Sequence, residues 1–177
     1  LEIRPRNLRF GRQEVRGRWW LGGDPIGSAW HNSLSVTFPG GEAFFIDSVR
    51  RFRDAVPPAL AAQIEAFIRQ EVHHTREHVA FNRQVRDAGY DIAAIEKRVA
   101  ESLAEARQNH PVGQLCVTVS LEHFTAIFAH AMLKDQGVFA GASDEARRMW
   151  LWHAVEEVEH KAVAFDTYMP VSYTHLR

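Results

Sequence analysis

The sequence predicts an all-α protein, a four-helix bundle with an additional crossover helix and an irregular N-terminal arm. Three observations support this class. Apolar residues recur every three or four positions from Gly41 onward, prolines and glycines divide that stretch into helix-sized segments, and two E-x-x-H motifs occupy the apolar stripes. With 46% hydrophobic and 24% charged residues, a chain of 177 residues can bury one core. We therefore expect an arm (1–40) packed on a helical domain (41–169), followed by a non-native tail (170–177).

The predicted arm combines arginines with apolar residues and then two turn signals, GGDP and FPGG. Its arginines are Arg4, Arg6, Arg9, Arg12, Arg16 and Arg18. A basic, aromatic-rich stretch can contact nucleic acid, but the whole chain has a net charge of −1 and no binding motif follows. We expect the arm to be irregular or to form a short strand, and to pack across the bundle.

Five helices are expected after the arm, with boundaries set by the chemistry of their ends. Pro57 and Pro58 separate the first two, Gly89 closes the second, Pro111 suits the first position of the fourth, and Ser143 can cap the fifth. The predicted ranges are 41–56, 58–87, 91–109, 111–135 and 143–169.

The longest apolar run, residues 111–133, is interrupted by Glu122, His123 and His130. It therefore favours a buried core helix over a membrane span. The single Cys116 excludes an intramolecular disulfide framework. We expect a cytoplasmic protein that acts on a small molecule and has neither a nucleic-acid partner nor a membrane span.

The second predicted helix places ionisable residues in the middle of an apolar stripe. The stripe consists of Leu60, Ile64, Phe67, Glu71, His74, His78, Phe81 and Val85. The fifth helix repeats the pattern with Trp150, His153, Glu157, His160 and Ala164. Such stripes face the core, where an unpaired carboxylate is costly to bury. Some positive group must therefore compensate these residues.

The E-x-x-H motifs Glu71 to His74 and Glu157 to His160 each place two donors on one helix face. Each motif is preceded by one glutamate on another predicted helix, Glu42 and Glu122. One Glu from each of two helices plus E-x-x-H from each of the other two is the arrangement of dimetal carboxylate bundles. Distances along antiparallel helices bring all four carboxylates to one level. The sequence therefore predicts a dinuclear metal site.

Four carboxylates and two imidazoles suit iron best, with manganese or zinc as alternatives. His153 lies four residues before Glu157 and is either a seventh ligand or a supporting residue. His78 either lines the cavity or orients a ligand. Ala126 and Ala129 are expected to leave room beside the metals for a substrate or O₂.

Several neighbouring polar residues are expected to lie away from the metals. Gln70 and Glu77 should point elsewhere on their helix, and Glu156 and Glu159 should be solvated or paired. The remaining histidines in these helices, His73, His123 and His130, are expected to be surface or packing residues.

Four segments resemble the bacterial "predicted metal-dependent hydrolase" family of ferritin-like proteins. They are FPGGEAFFIDSVRRF (38–52), FIRQEVHHTREHVAFN (67–82), LEHFTAIFA (121–129) and HAVEEVEHKAVAFD (153–166). The resemblance implies a ferritin-like fold and the same six core ligands. With His153 added, the ligand pattern is also similar to that of the di-iron arylamine N-oxygenases.

Two reaction classes and one non-enzymatic function follow from these patterns. The first is hydrolysis of a small organic substrate by metal-activated water, which the family name implies. The second is O₂-dependent oxidation at a di-iron centre, which the histidine-rich ligand set favours. The third is a metal-binding bundle without catalysis.

Overall fold

The computed structural model describes residues 2–11 and 17–172, except for the side chain of Gln136. The described residues form helices and irregular segments and no strand, which confirms the all-α class. The α-helices are α1 (Pro25–Arg50), α2 (Pro58–Asp87), α3 (Ala93–Ala106), α4 (Pro111–Lys134), α5 (Asp144–His160) and α6 (Val163–Ser172). Short 3₁₀ turns occupy Arg53–Ala55 and Gln136–Phe139.

Helix α1 begins much earlier than the expected residue 41. Asp24 caps it by accepting a hydrogen bond from the Ile26 backbone N–H at 2.9 Å, and Pro25 takes the first helical position. The GGDP turn therefore lies immediately before the helix, where Gly22 and Gly23 adopt positive φ angles. The first helix is 26 residues long.

The FPGG motif lies inside α1, so its interpretation as a turn was wrong. Pro39 has no N–H to donate to the Ser35 carbonyl one helical turn earlier. The Asn82 side chain supplies the missing donor, with Nδ2 3.1 Å from that carbonyl. Gly40 lets α3 approach, because a Cβ atom there would lie 3.2 Å from Leu103. Tertiary contacts thus keep the helix intact through a turn-forming sequence.

The other predicted helix ends agree with the structure more closely. Pro58 and Pro111 begin α2 and α4, and the Ser143 hydroxyl caps α5 by accepting from the Ala146 N–H. Gly89, with φ of +85°, follows the end of α2.

The predicted fifth helix is two helices. A turn at Lys161 and Ala162 separates α5 from α6, so helical structure does not run unbroken over 143–169. Helix α6 continues to Ser172 and includes the first three residues of the predicted tail. Residues 173–177 lie outside the described part of the chain.

The helices enclose two apolar clusters with a polar layer between them. Along α1 the order is Phe38, Glu42, Phe45, in which the two phenylalanines belong to different clusters. Along α5 and α6, Trp150 and Val163 likewise belong to opposite clusters and flank the polar positions. Helix α1 packs against α2 and α3, and α4 packs against α5 and α6. The polar layer therefore lies at mid-height on several helices.

The arm residues 2–11 run along α2 and α5 without regular structure. Backbone N–H groups of the arm donate to glutamate side chains of those helices. The bonds are Arg4 to Glu159, Arg6 to Glu156, Phe10 to Glu77 and Gly11 to Glu145, at 2.8–3.1 Å. Arg12 and Arg16 lie outside the described residues.

Helix α4 is not the buried core helix that its composition suggested. Only 22% of its most apolar stretch is buried, and Phe124 and Ile127 are about half exposed. Cys116 on the same helix is exposed as well. By length and composition α4 meets the criteria for a membrane span, and no other helix of the described residues does. Its inner face carries the buried Glu122.

Candidate metal centre

The polar layer contains all seven residues predicted as metal ligands. Helix α1 supplies one, α2 two, α4 one and α5 three, and every one of them is at least 96% buried. They are Glu42, Glu71, His74, Glu122, His153, Glu157 and His160. The apolar stripes predicted from the sequence therefore meet at one place, and the carboxylates lie at one level of the helices, as expected.

His160 lies at one side of the layer. Its Nε2 is 3.2 Å from Glu71 Oε1, 3.3 Å from Glu122 Oε2 and 3.5 Å from Glu157 Oε1. Donor atoms of Glu71, Glu122 and His160 all lie within 4.8 Å of one another, a spacing that one cation can span.

His74 lies at the other side. Its Nδ1 is 3.5 Å from Glu157 Oε1 and 3.7 Å from Glu71 Oε2. Two further groups with donors within 4.8 Å of one another meet here, Glu71 with His74 and Glu157, and Glu42 with His74 and His153. Glu71 thus belongs to groups on both sides, and His153 joins one of them.

The donor atoms that face one another lack ordinary hydrogen bonds. Both carboxylate oxygens of Glu71 and of Glu122 are buried without a hydrogen-bond partner. The same holds for one oxygen each of Glu42 and Glu157, for His74 Nδ1 and for His160 Nε2. Buried polar atoms are nearly always satisfied, so this cluster of orphaned atoms around one point fits a site for cations.

Burial and mutual repulsion act on the protonation of these carboxyls. Burial raises the pKa of Glu122 to about 8, and burial together with Glu71 raises the pKa of Glu42 well above its ordinary value. Burial also opposes ionisation of Glu157, but His160, His153 and His74 outweigh it and lower its pKa. Without a cation, the layer therefore takes up protons to limit its negative charge.

The histidines of the E-x-x-H motifs are affected by the same carboxylates. Burial disfavours the charged form of His74, but Glu156, Glu157 and Glu71 outweigh it and raise its pKa well above the ordinary value. Burial opposes protonation of His160 too, and Glu157 and Glu122 reverse the effect on its pKa. The carboxylates around them therefore favour the protonated, positively charged form of both rings.

Two residues expected to point away from the site hold its histidines. Glu156 is fully buried, and its Oε2 is 3.1 Å from His74 Nε2. Gln70 is also fully buried, and its Oε1 accepts from His160 Nδ1 at 3.0 Å. Each holds the ring nitrogen opposite the one that faces the carboxylates. Sequence spacing missed these roles, since neither residue lies on the apolar stripe.

Glu156, Gln70 and Glu159 form an outer layer behind the histidines, and Arg6 of the arm binds to this layer. Its guanidinium donates to Glu156 Oε1 at 3.2 Å and to Glu159 Oε1 at 2.6 Å. Glu159 in turn accepts from Gln70 Nε2 at 2.9 Å. Of the two alternatives expected for Glu156 and Glu159, solvated or paired, the structure shows paired charges, and the partner is Arg6 of the arm.

His153 is held by a different chain of contacts. Its Nδ1 is 2.7 Å from His78 Nε2, and its Nε2 is 3.0 Å from Glu157 Oε1. His78 Nδ1 is 2.8 Å from the Ser35 hydroxyl. His78 therefore lies behind His153 and does not face the carboxylates directly.

The two alanines that were expected beside the metals line two different cavities. Ala129 lines an apolar cavity of about 20 Å³ that also touches His153 and Glu157. Ala126 lines a surface groove of about 800 Å³ between α4 and the α5–α6 region, together with the exposed His123 and His130. Only Ala129 therefore leaves room next to the site.

Glu77 and His73 also flank the layer. Glu77 is buried and pairs with Arg76 at 2.6 Å, while His73 is partly exposed. Neither is among the residues with mutually close donor atoms. Their expected position away from the predicted ligands agrees with the structure.

Comparison with known proteins supplies the family. A family model described as "Predicted metal-dependent hydrolase" matches residues 4–177. The curated proteins and the solved structures gave no match. The family match extends over the arm, whose Arg6 holds Glu156, and over all four helices that build the polar layer. The chain therefore belongs to the predicted metal-dependent hydrolase family.

Proposed function

We propose that this protein is a dinuclear metal-dependent enzyme, with iron as the favoured metal and hydrolysis of a small organic molecule as its reaction. The single observation that carries the proposal is the set of orphaned buried donor atoms on four helices. The proposed ligands are the six residues of the two E-x-x-H motifs with Glu42 and Glu122, together with His153. The helices that carry them, with α3 as the connecting helix, form a ferritin-like four-helix bundle in this proposal.

The charges of the layer support two cations. Four glutamates carry four negative charges when ionised, which two divalent ions would neutralise. Carboxylate and imidazole donors suit iron or manganese, and zinc is also compatible. Glu71 belongs to the groups around His74 and around His160, and Glu157 Oε1 lies 3.5 Å from a ring nitrogen of each histidine, so both glutamates would help to hold the metal pair.

The reaction class depends on what the metals supply. When bound, two ions would either lower the pKa of a water for hydrolysis or, as ferrous ions, provide the electrons for O₂ reduction. The residues of this chain fix the donors and exclude bulk water. Thr75 holds Glu42 by donating to its Oε2 at 2.6 Å, and Gln70 and Glu156 hold the two histidines.

One observation favours oxidation as the second candidate. The cavity beside His153 and Glu157 has a volume of about 20 Å³ and an apolar lining that includes Phe38, Phe128 and Met132. A space of this size holds about one water-sized molecule. An apolar cavity of that size suits O₂ better than it suits an organic ester.

Reconstitution separates the two reactions. The full chain is loaded anaerobically with Fe²⁺, exposed to O₂ and followed by absorption spectroscopy, while iron-, manganese- and zinc-loaded samples are assayed against a panel of small esters and amides. The proposal is supported if samples loaded with at least two of these three metals hydrolyse a substrate and the iron-loaded sample shows no oxygen-dependent band. An oxygen-dependent band without hydrolysis would replace it by the oxidase.

The arm is expected to contribute to metal affinity through Arg6. Replacing Arg6 by Ala leaves the fully buried Glu156 without its guanidinium partner, so His74 is held less firmly. We expect about a 10-fold loss of metal affinity, at the lower end of the range for residues outside the first ligand layer. Metal titration of R6A and R4A measures it.

Arg4 is the matched control, because its guanidinium pairs with the exposed Glu2 and not with the outer layer. In both variants the backbone N–H groups of the arm keep their hydrogen bonds to the helices. Equal affinities of R6A, R4A and the unaltered protein would show that Arg6 has no such role.

A further inference from the structure

A surface groove of about 800 Å³ lies between α4 and the α5–α6 region, outside the polar layer. We propose that this groove binds a small apolar molecule that carries one anionic group, a medium-chain carboxylate. None of the seven proposed metal ligands is among the described residues that line it. The proposal therefore holds or fails independently of the metal centre.

The groove has the size of a small-molecule site. Two small side chains, Ala126 of α4 and Ala162 of the turn before α6, line it on the two sides and leave its space open. Along α4 the lining extends from Val119 to His130, a length of about 16 Å. Its volume lies within the range of clefts that bind small molecules. An elongated molecule can therefore lie along α4.

Large apolar side chains of two helices line the groove and remain in contact with water. Phe124 and Ile127 of α4 are 56% and 48% exposed, and Phe165 of α6 is 50% exposed. Single exposed apolar residues are ordinary, but a group of them around one groove marks a binding site. Covering these side chains with an apolar ligand would remove their surface from water, which favours binding.

The polar part of the lining favours an anion. It consists of Ser120, His123, His130 and Lys161, and it includes no carboxylate, although the chain has 22 acidic and 21 basic residues. Lys161 is exposed and makes no ion pair with a described residue, whereas Lys97 on α3 pairs with Glu101 at 3.8 Å. The groove thus offers a free positive charge and hydrogen-bond donors beside an apolar surface.

The number of charges favours a single small ligand over a membrane surface. Helices that lie on anionic membranes carry several lysines or arginines along their polar face. The described lining of the groove has one lysine and no arginine. One cation beside a concave apolar surface matches one anionic group on an apolar body, which is the structure of a medium-chain carboxylate.

Calorimetric titration of the full chain with dodecanoate tests the proposal. Dodecyltrimethylammonium, which has the same chain length and the opposite charge, is the matched ligand, and both are kept below the concentrations at which they form micelles. We expect one dodecanoate per chain and at least about 10-fold weaker binding of the cationic ligand. Equal binding of the two ligands would overturn the proposal. So would dodecanoate binding that disappears when a chelator removes metal ions, because the carboxylate would then be binding to the metals.

Two variants with matched controls locate the binding. Lys161→Met should weaken dodecanoate binding by about 3–5-fold, the size expected of one ion pair at the surface. Ile127→Glu should weaken it by at least about 10-fold, because it places a like charge in the groove. The controls are Lys97→Met on α3 and Val72→Glu on α2, where Val72 is 51% exposed and neither residue lines the groove. If K161M and I127E bound dodecanoate as the controls do, the proposal would be wrong.

Other occupants of the groove give different results. On binding dodecanoate, the NMR signals of the methyl groups of Ala126, Ile127 and Ala162 should shift. A dimer in sedimentation experiments that I127E dissociates, with no dodecanoate binding, would assign the groove to a second copy of the chain. Binding to phosphatidylglycerol vesicles without binding to free dodecanoate would assign it to a membrane surface. Either result would overturn the proposal.

Discussion

Glu71→Gln is expected to abolish tight binding of the metal pair and, at the same time, to raise the thermal stability of the metal-free protein. Both oxygens of Glu71 are buried without a hydrogen-bond partner, and Glu71 belongs to donor groups on both sides of the layer. Affinity should fall by at least about 100-fold, because removing residues outside the first ligand layer already costs about 10–100-fold. Competition with a chelating dye measures this loss.

The gain in stability has a separate cause. Burial raises the pKa of Glu71, which shows that its charged form is disfavoured in the metal-free fold. A neutral amide of the same shape does not carry the cost of burying a charge. Glu65→Gln on the same helix is the control, because Glu65 is 41% exposed and pairs only at the surface with Arg53. If E71Q kept the affinity of E65Q, Glu71 would not be a ligand.

The metal-free protein is expected to lose stability as the pH rises from 6.5 to about 8, while the metal-loaded protein does not. Burial raises the folded-state pKa of Glu122 to about 8, and the pKa values of Glu42, His74 and His160 are also raised. Over this range the folded state binds more protons than the unfolded state, so the free energy of unfolding falls with increasing pH. Urea denaturation at several pH values measures the slope.

The pH range of this prediction begins at 6.5, because below that value other buried histidines make the free energy of unfolding rise with pH instead of fall. Burial lowers the pKa of His153 to about 4 and that of His78 well below its ordinary value, so below pH 6.5 the unfolded state takes up protons that these residues do not. Metal binding displaces protons, so loading should strengthen as the pH rises. Glu122→Gln should flatten the slope of the metal-free protein. If the free energy of unfolding of the unaltered metal-free protein did not fall between pH 6.5 and 8, the raised pKa values of these buried groups would be contradicted.

The candidate site could be predicted because its residues obey helix geometry. Glu71 and His74 lie on the apolar stripe of α2, and Glu157 and His160 lie on that of α5, so spacing alone places them inside. Glu42 and Glu122 follow from their levels relative to the turns. Such periodicity depends only on the local backbone, and the structure brings these residues together.

The outer layer could not be predicted, because it depends on contacts between distant segments. Glu156 is buried, and its carboxylate pairs with Arg6 of the arm, 150 residues away in the chain. The FPGG motif is a local turn signal, yet Asn82 replaces the hydrogen bond that Pro39 removes, so α1 continues. The exposure of α4 was missed for a similar reason, since an apolar sequence does not show whether a neighbour covers it.

The most direct measurement is the metal content of the full chain after anaerobic loading with Fe²⁺ and removal of excess ions, determined by elemental analysis together with protein concentration. The proposed dinuclear centre predicts two irons per chain, retained in E65Q and reduced to one or none in E71Q. Fewer than one iron per chain, with the same low content for manganese and zinc, would contradict it.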